Sequence, residues 1–543
     1  MSQTGARRTP SGVDRFASVP SANIQRSTFN RSHNHKTTFD SGFLIPIYVD
    51  EALPGDTISM NVGTFCRMAT PFRPLMDNLY FDLFFFAVPN RLLWDNWERF
   101  NGSQDNPGDS VDFLTPKVNS GAGYAVGTFF DYCGIPTGVP NLEHTAFVPR
   151  AYNFIYNEWF RDENIVPSVT FNTDDGPDDP ADYTLLRRGK RHDYYTSSLP
   201  FPQKGPAVPL PLGGSAPLGG VSPVAAGGTP ALQTDVNPQG PGPLFYDASA
   251  AQGNVGGPVS NDGLDHPLAW VDPALDVDLA IGTGFADLSN ATAATINSIR
   301  TAFQIQKLYE RDARGGTRYT EILRAHFGVV SPDARLQRPE YLGGGSTRIA
   351  IHPVAQTAQA FAGTDALGDL AAFVTGSAQA IFVKSFTEHC TLLGLCMVRA
   401  DLTYQQGLMR EWSRSTRFDY YWPAFAHLGE QEVLQKEIFA SGVQVEDDTI
   451  FGYQERYAEY RYKPSLITGQ FRSTFAQSLD VWHVAQDFAN APVLNPDFIL
   501  EDPPIDRVIV VQSEPQFLLD IWFAQRHVRP MPVYGVPGLV DHF

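Results

Sequence analysis

Residues 29–47 read F-N-R-S-H-N-H-K-T-T-F-D-S-G-F-L-I-P-I. A polar, basic stretch ends at D-S-G, and an apolar run begins at once. The stretch marks where an N-terminal arm enters the first apolar strand of the folded body. Between residues 1 and 39 the basic side chains are Arg7, Arg8, Arg15, Arg26, Arg31 and Lys36, and the single acid is Asp14. The whole chain carries a net charge of −19, so the charge is divided between a cationic end and an acidic remainder. Such a division suits a protein that keeps one end on a polyanion while the rest meets other partners. Residues 1–42 are accordingly expected to form a basic arm with little regular structure. Residues 43–543 are expected to form one domain.

The chain has 543 residues, of which 43% are hydrophobic and only 18% charged. That charged fraction lies below the roughly 25% of ordinary soluble domains. Much of the surface must then be uncharged, as in a protein that buries surface against copies of itself. Aromatic residues reach 12%, with 38 Phe and 21 Tyr, a composition that favours strands and interfaces. The 46 Gly and 42 Pro imply many turns and few long helices. Cys66, Cys133, Cys390 and Cys396 form no C-x-x-C pair, and four cysteines in so long a chain suggest a reducing compartment rather than a disulfide framework. The N-terminal residues carry no apolar segment of the signal-peptide type. No apolar run approaches the length that spans a bilayer.

Strand-like runs occupy 43–49, 57–65 and 79–88, and they return at 348–351, 379–384, 392–399, 450–453, 506–512 and 516–523. Residues 79–88 (L-Y-F-D-L-F-F-F-A-V) alternate only weakly, which predicts a strand covered on both faces. Short helices are expected over 91–100 and 150–162. Longer ones are expected over 291–311 and 317–327, the second stopped by Gly328. Residues 172–290 differ in character: their 14 acids are all Asp, and Gly and Pro fill 24 of the 61 positions from 200 to 260. That density cannot supply a continuous core and reads as a long surface insertion. Strands at both ends, with helices and an insertion between them, suggest one β-sandwich drawn from distant parts of the chain.

Catalytic and metal-binding readings are weak. His33-x-His35 lacks a nearby acidic or Cys partner at ligand spacing. The stretch D-D-G-P-D-D at 174–179 lacks the spacing of an EF-hand loop and reads as a solvated acidic loop. Glu455 and Glu459 invite comparison with a glycosidase pair, yet they lie among arginines and tyrosines and read as ion-paired carboxylates. Gly343-Gly344-Gly345 has no phosphate-binding lysine and reads as a flexible connection. Cys390 and Cys396 read as core residues. No cofactor or metal is expected. The arginines and lysine of the arm, with Phe16 and Phe29, are better suited to phosphates and unpaired bases. A second basic stretch, 300–348, carries nine Arg or Lys against five acids. It reads equally well as a salt-bridged surface or as a nucleic-acid contact.

Six segments resemble, in order, the major capsid proteins of gokushoviruses, small icosahedral single-stranded DNA phages of the Microviridae. They are S-H-N-H-K-T-T-F-D-S-G-F-L-I-P-I, D-E-A-L-P-G-D-T (50–57), P-F-R-P-L-M-D (71–77), Y-T-E-I-L-R-A-H-F-G-V (319–329), D-A-R-L-Q-R-P-E-Y-L-G-G (333–344) and the C-terminal M-P-V-Y-G-V-P-G-L-V-D-H-F. The resemblance implies a mainly β fold, an eight-stranded antiparallel jelly-roll β-sandwich with long loop insertions and a few short helices. It implies a non-enzymatic shell protein of the virion, assembled in the cytoplasm of a bacterial host. About 60 copies would form a T=1 shell around circular single-stranded DNA. The implied partners are further copies of the chain, the genome, minor or pilot and scaffold-type viral proteins, and a host surface receptor met by the insertion 172–290; no membrane insertion is implied. The DNA-facing role falls on Arg15, Arg26, Arg31 and Lys36, with Arg7 and Arg8 in a part of the arm that varies. A carbohydrate-binding β-sandwich or glycoside hydrolase using Glu455 and Glu459 is the alternative.

Overall fold

The computed structural model describes residues 25–209, 296–357 and 368–535, and four two-residue strands at 218–219, 245–246, 255–256 and 285–286. Arg7, Arg8, Arg15, most of the 172–290 insertion and the last eight residues of the C-terminal motif lie outside the described residues. The chain divides into two compact units. One comprises Met1–Gly205 with Tyr309–Phe543, and the other is Pro206–Leu308. The second unit thus starts and ends later than the insertion read from composition.

The first unit is built on two antiparallel sheets. Its strands are β1 (Ser27–Asn30), β2 (His33–Phe39), β3 (Ile45–Ala52), β4 (Thr57–Met68), β5 (Leu79–Pro89), β6 (Glu340–Arg348), β7 (Ala350–Ala355), β8 (Leu370–Gly376), β9 (Gln379–Ser385), β10 (Cys390–Ala400) and β11 (Phe517–Arg529). One sheet runs β6-β5-β10-β3. In the other, β4 lies between β11 and the β8–β9 segment, β2 and β1 share the far edge of β11, and β7 pairs with β8. Strands β8 and β9 keep one register along β4, with Thr375 opposite Arg67 and Gln379 opposite Gly63. They form one lane, interrupted where Thr64 exchanges hydrogen bonds with the backbone of Ala378. The eight lanes of the sandwich are therefore β2, β11, β4 and β8–β9 in one sheet, and β3, β10, β5 and β6 in the other. From β2 to β5 the chain alternates between sheets, and it does so again from β8–β9 to β11. This is the doubly wound antiparallel connectivity of a jelly roll.

The core between the sheets takes alternate residues of each strand. Ile58, Met60 and Val62 of β4 and Leu519, Ile521 and Phe523 of β11 meet Phe81, Leu83 and Phe85 of β5. The second sheet is also covered on its back. Phe86, Val88, Leu393, Leu395 and Met397 pack against Phe147, Ala151, Tyr152 and Ile155 of helix α1 (Phe147–Ile155). All eleven residues of β10 are buried as a result, and β5 is covered on both faces, as its weak alternation suggests. Two further helices are α2 (Ile296–Gly315) and α3 (Tyr319–Phe327). Gly328 closes α3 in the left-handed region at φ 68°.

Four expectations are corrected. The distal part of the arm is not irregular: β2 is the first strand of the jelly roll and β1 extends the sheet beside it. Lys36 and Asn34 made the segment look like a tail, but they alternate with inward residues and sit on the sheet's outer face. Residues 506–512 do not form a strand; they turn at Ile505–Arg507 and drop Val508 and Ile509 into the core. Gly344 and Gly345 are not a flexible connection but lie within β6. A Cβ on Gly344 would stand 2.2 Å from the Leu83 carbonyl oxygen, and one on Gly345 the same distance from that of Gln379. Only glycine lets β6 approach both neighbours. The acidic stretch 174–179 is not simply solvated. Asp178 is buried and accepts from Arg150 Nε at 2.8 Å and Nη2 at 2.6 Å, while Asp175 accepts from Trp94 Nε1 at 2.7 Å.

Phe39 anchors β2. It is 1% exposed and stacks on Phe517 with ring centroids 5.4 Å apart. Phe39→Ala is expected to cost about 3–5 kcal/mol, the range for emptying a buried aromatic site. Lys36→Ala, three residues away on the outer face, is expected to change stability by no more than about 0.5 kcal/mol. Thermal unfolding of the two variants checks the assignment.

Candidate nucleic-acid interface

The three described basic residues of the arm have different surroundings. Arg26 donates from Nη2 to the Gly55 carbonyl at 2.5 Å and to Thr57 Oγ1 at 3.3 Å. Arg31 donates from Nη1 to both oxygens of Asp50, at 2.8 and 2.6 Å. Its charge is therefore largely matched inside the protein. Lys36 projects from the outer face of β2, directly opposite Asp520 of β11, and makes no ion pair among the described residues. Of these three, Lys36 is the most open to a phosphate, and Arg31 the least.

Asp50 organises a cluster that residue types alone do not reveal. Besides Arg31, it accepts from the Tyr48 hydroxyl at 2.8 Å, Gln525 Nε2 at 3.0 Å and the Glu51 N–H at 2.8 Å. Burial works to raise its pKa, but the bonds from Arg31, Glu51 and Tyr48 outweigh it and hold the carboxyl below its ordinary value. His527 touches Gln525 and lies 3.8 Å from Asp50. Burial pushes the His527 imidazole down to about 4, against the opposing pull of Asp50. Tyr48 and Asp50 belong to β3, whereas Gln525 and His527 belong to β11, so the cluster joins the two sheets. The one legible hint was D-E-A-L-P-G-D-T, which begins at Asp50.

The remaining candidates resolve into structural roles. His35 donates from Nδ1 to the Ile47 carbonyl at 2.8 Å, and His33 stacks on Phe523 at 4.9 Å. Among the described residues no group of three or more His, Cys, Asp or Glu is placed to hold a metal ion. Glu455 pairs with Arg461 at 2.7 Å, and Glu459 with Arg414 at 3.5 Å and Gln431 at 2.7 Å. The carboxylates are thus ion-paired, as their place among arginines suggests. Glu459 lines a small crevice with Tyr194, Arg410, Arg414 and Glu437. In the second basic stretch, Arg318 pairs with Glu163 at 2.7 Å, Arg338 pairs with Asp333 at 2.9 Å, and Arg314 pairs with Glu430. Three of the nine cations of that stretch are thus matched within the protein. Cys66, Cys390 and Cys396 are buried, and burial pushes the Cys66 and Cys390 thiols up to about 12. No helix among the described residues is long and apolar enough to cross a membrane.

The cluster has a consequence for acid stability. His527 stays neutral in the fold down to about pH 4, whereas an unfolded histidine takes its proton near 6.5. Between those values the unfolded state binds more protons, so stability falls as the pH is lowered through that window. Asp50, with its depressed folded pKa, withdraws a further contribution at lower pH still. His527→Gln is expected to flatten the loss between pH 6.5 and 4 while leaving the steeper fall below it. Thermal melting across pH reads both parts.

The chain is similar to known proteins over nearly its whole length. A family model described as "Capsid protein (F protein)" matches residues 17–539. The capsid protein VP1 of Bdellovibrio phage phiMH2K is 50% identical, covering 97% of this chain and 98% of that one. VP1 of Chlamydia phage 1 is 42% identical over 98% of this chain and 99% of its own, and VP1 of Spiroplasma virus 4 is 36% identical over 99% of each. The chain therefore belongs to the capsid protein (F protein) family, among the major capsid proteins of the gokushoviruses of the Microviridae.

Proposed function

We propose that copies of this chain, a viral major capsid protein and not an enzyme, close into a T=1 shell around circular single-stranded DNA, and that the insertion 172–290 takes part in host attachment. The observation that carries the reading is the end-to-end similarity to capsid proteins of a chain whose core is an antiparallel jelly roll. The surface supports it. Trp412, Phe418, Tyr420, Tyr421, Trp422 and Tyr460 are all exposed, and arginines stack among them, with Arg414 4.4 Å from the Tyr460 ring centre. Exposed Trp, Tyr and Arg together have the composition of contact surfaces between protein chains.

The arm contributes the link to DNA in this reading. Arg7, Arg8 and Arg15 precede the described residues, Lys36 faces outward from the sheet edge, and Arg26 and Arg31 fasten the root of the arm. Minor and scaffold-type viral proteins are further partners, and assembly takes place in the host cytoplasm. Glycan hydrolysis is not retained, since Glu455 and Glu459 are each taken by an arginine.

The test is a chain in which residues 210–290 are replaced by a short Gly-Ser linker. It is expected to form particles of about 60 copies that hold nuclease-resistant DNA but adsorb poorly to host cells. A stable monomer from the full-length chain would overturn the shell. Normal adsorption by the shortened one would overturn the attachment role.

A further inference from the structure

The sheet that carries the arm has an outer face that no other element of its unit covers among the described residues, and that face is not polar. Phe65 is 54% exposed and Trp522 is 52% exposed, far beyond what a side chain on the outer face of a sandwich needs for its own fold. Neither ring makes an aromatic contact among the described residues. The register puts them side by side. Phe65 lies opposite Asp520 and Trp522 opposite Gly63, which makes the two rings diagonal neighbours, with Cβ atoms roughly 7–8 Å apart or a little less in such a pleat. Among the described residues nothing lies within 4 Å of where a Cβ on Gly63 would stand. The indole is thus bordered by open floor on one side.

The charges around the rings have one sign in excess. Lys36, Arg67 and Arg526 all point outward, at positions in register with this face, and none makes an ion pair among the described residues. The one acid among these pairs, Asp520, accepts from Asn34 Nδ2 at 2.7 Å. Flat exposed rings bordered by unpaired cations are what unpaired nucleotides recognise: the bases stack and the phosphates meet the cations. A duplex hides its base faces and gains nothing from the rings. The basic N-terminal segment joins this sheet through its edge strand, β1, so the two cationic features are continuous in the chain.

We propose that this sheet face is a stacking platform for single-stranded DNA, with Phe65 and Trp522 as the base contacts, Lys36, Arg67 and Arg526 as the phosphate contacts, and Gly63 as the gap that admits a base. The proposal rests on the reading that the shell encloses single-stranded DNA, and it adds where on the protein the bases sit.

Ultraviolet cross-linking of intact particles, followed by digestion and mass spectrometry, tests it. Nucleotide adducts are expected on the peptides that contain Phe65 and Trp522. Gly63→Val places a β-branched side chain in open space within a strand. It is expected to leave particle assembly intact and to lower the Trp522 adduct about tenfold, the scale of one lost stacking contact. Arg67→Gln, an exposed exchange that the fold tolerates, is expected to lower both adducts. Adducts confined to the N-terminal segment or to other peptides, in particles that hold nuclease-resistant DNA, would overturn the platform and leave the enclosing shell intact. Cross-links from Trp522 to another polypeptide would also overturn it, by showing that a protein covers the face. Particles without DNA would overturn the underlying reading and the platform together.

Discussion

The pairing of β2 with β11 is the contact on which the rest of the sandwich depends. Seven consecutive residues, His33 to Phe39, lie opposite Phe523 to Phe517. Without them the edge of β11 that faces away from β4 would be unpaired from Phe517 to Phe523. The same segment and the Arg31 that precedes it also reach across to the other sheet. Arg31 and His35 bond to Asp50 and Ile47 of β3, and Phe39 lies against Phe81 of β5 as well as Phe517. A short strand that is modest in hydrophobicity thus closes one sheet and fastens it to the other.

The way charge is buried follows from that closure. Asp50 and His527 sit where the two sheets meet, and their environment holds one charged and the other neutral at pH 7. Arg150 with Asp178, and Arg399 with Asp82 at 2.8 Å, are buried pairs of opposite charge elsewhere in the unit. Each pair is worth little against an apolar replacement. Removing one partner, however, leaves an uncompensated buried charge that costs about 3–5 kcal/mol. The fold therefore depends on these pairs being complete rather than on their number.

Much of the fold was legible in the residues. The weak alternation of 79–88 did mean burial on both faces, and the Gly328 stop did end a helix. Three of the four misreadings share one cause, which is that side chains near charge or glycine take their meaning from neighbours far away in sequence. Lys36 and Asn34 made β2 look like a tail, because the partner that makes it a strand is nearly five hundred residues further on. Gly344 and Gly345 looked flexible, because the carbonyls that forbid a Cβ there belong to β5 and β9. Asp178 looked solvated, because its arginine is on α1. For the interface, composition found the cations of the arm but could not tell the internally paired Arg31 from the open Lys36. It also missed Phe65, Trp522 and Gly63, which become a group only once β4 and β11 are in register.

Hydrogen exchange in the native protein tests the central claim most directly, because it reads the backbone of β2 itself. If residues 33–39 are the first strand of the jelly roll, their paired amides exchange as slowly as those of β11 and open only with the whole sandwich. Exchange at 33–39 as fast as in an exposed loop, with β11 still protected, would contradict the account and return the segment to the arm.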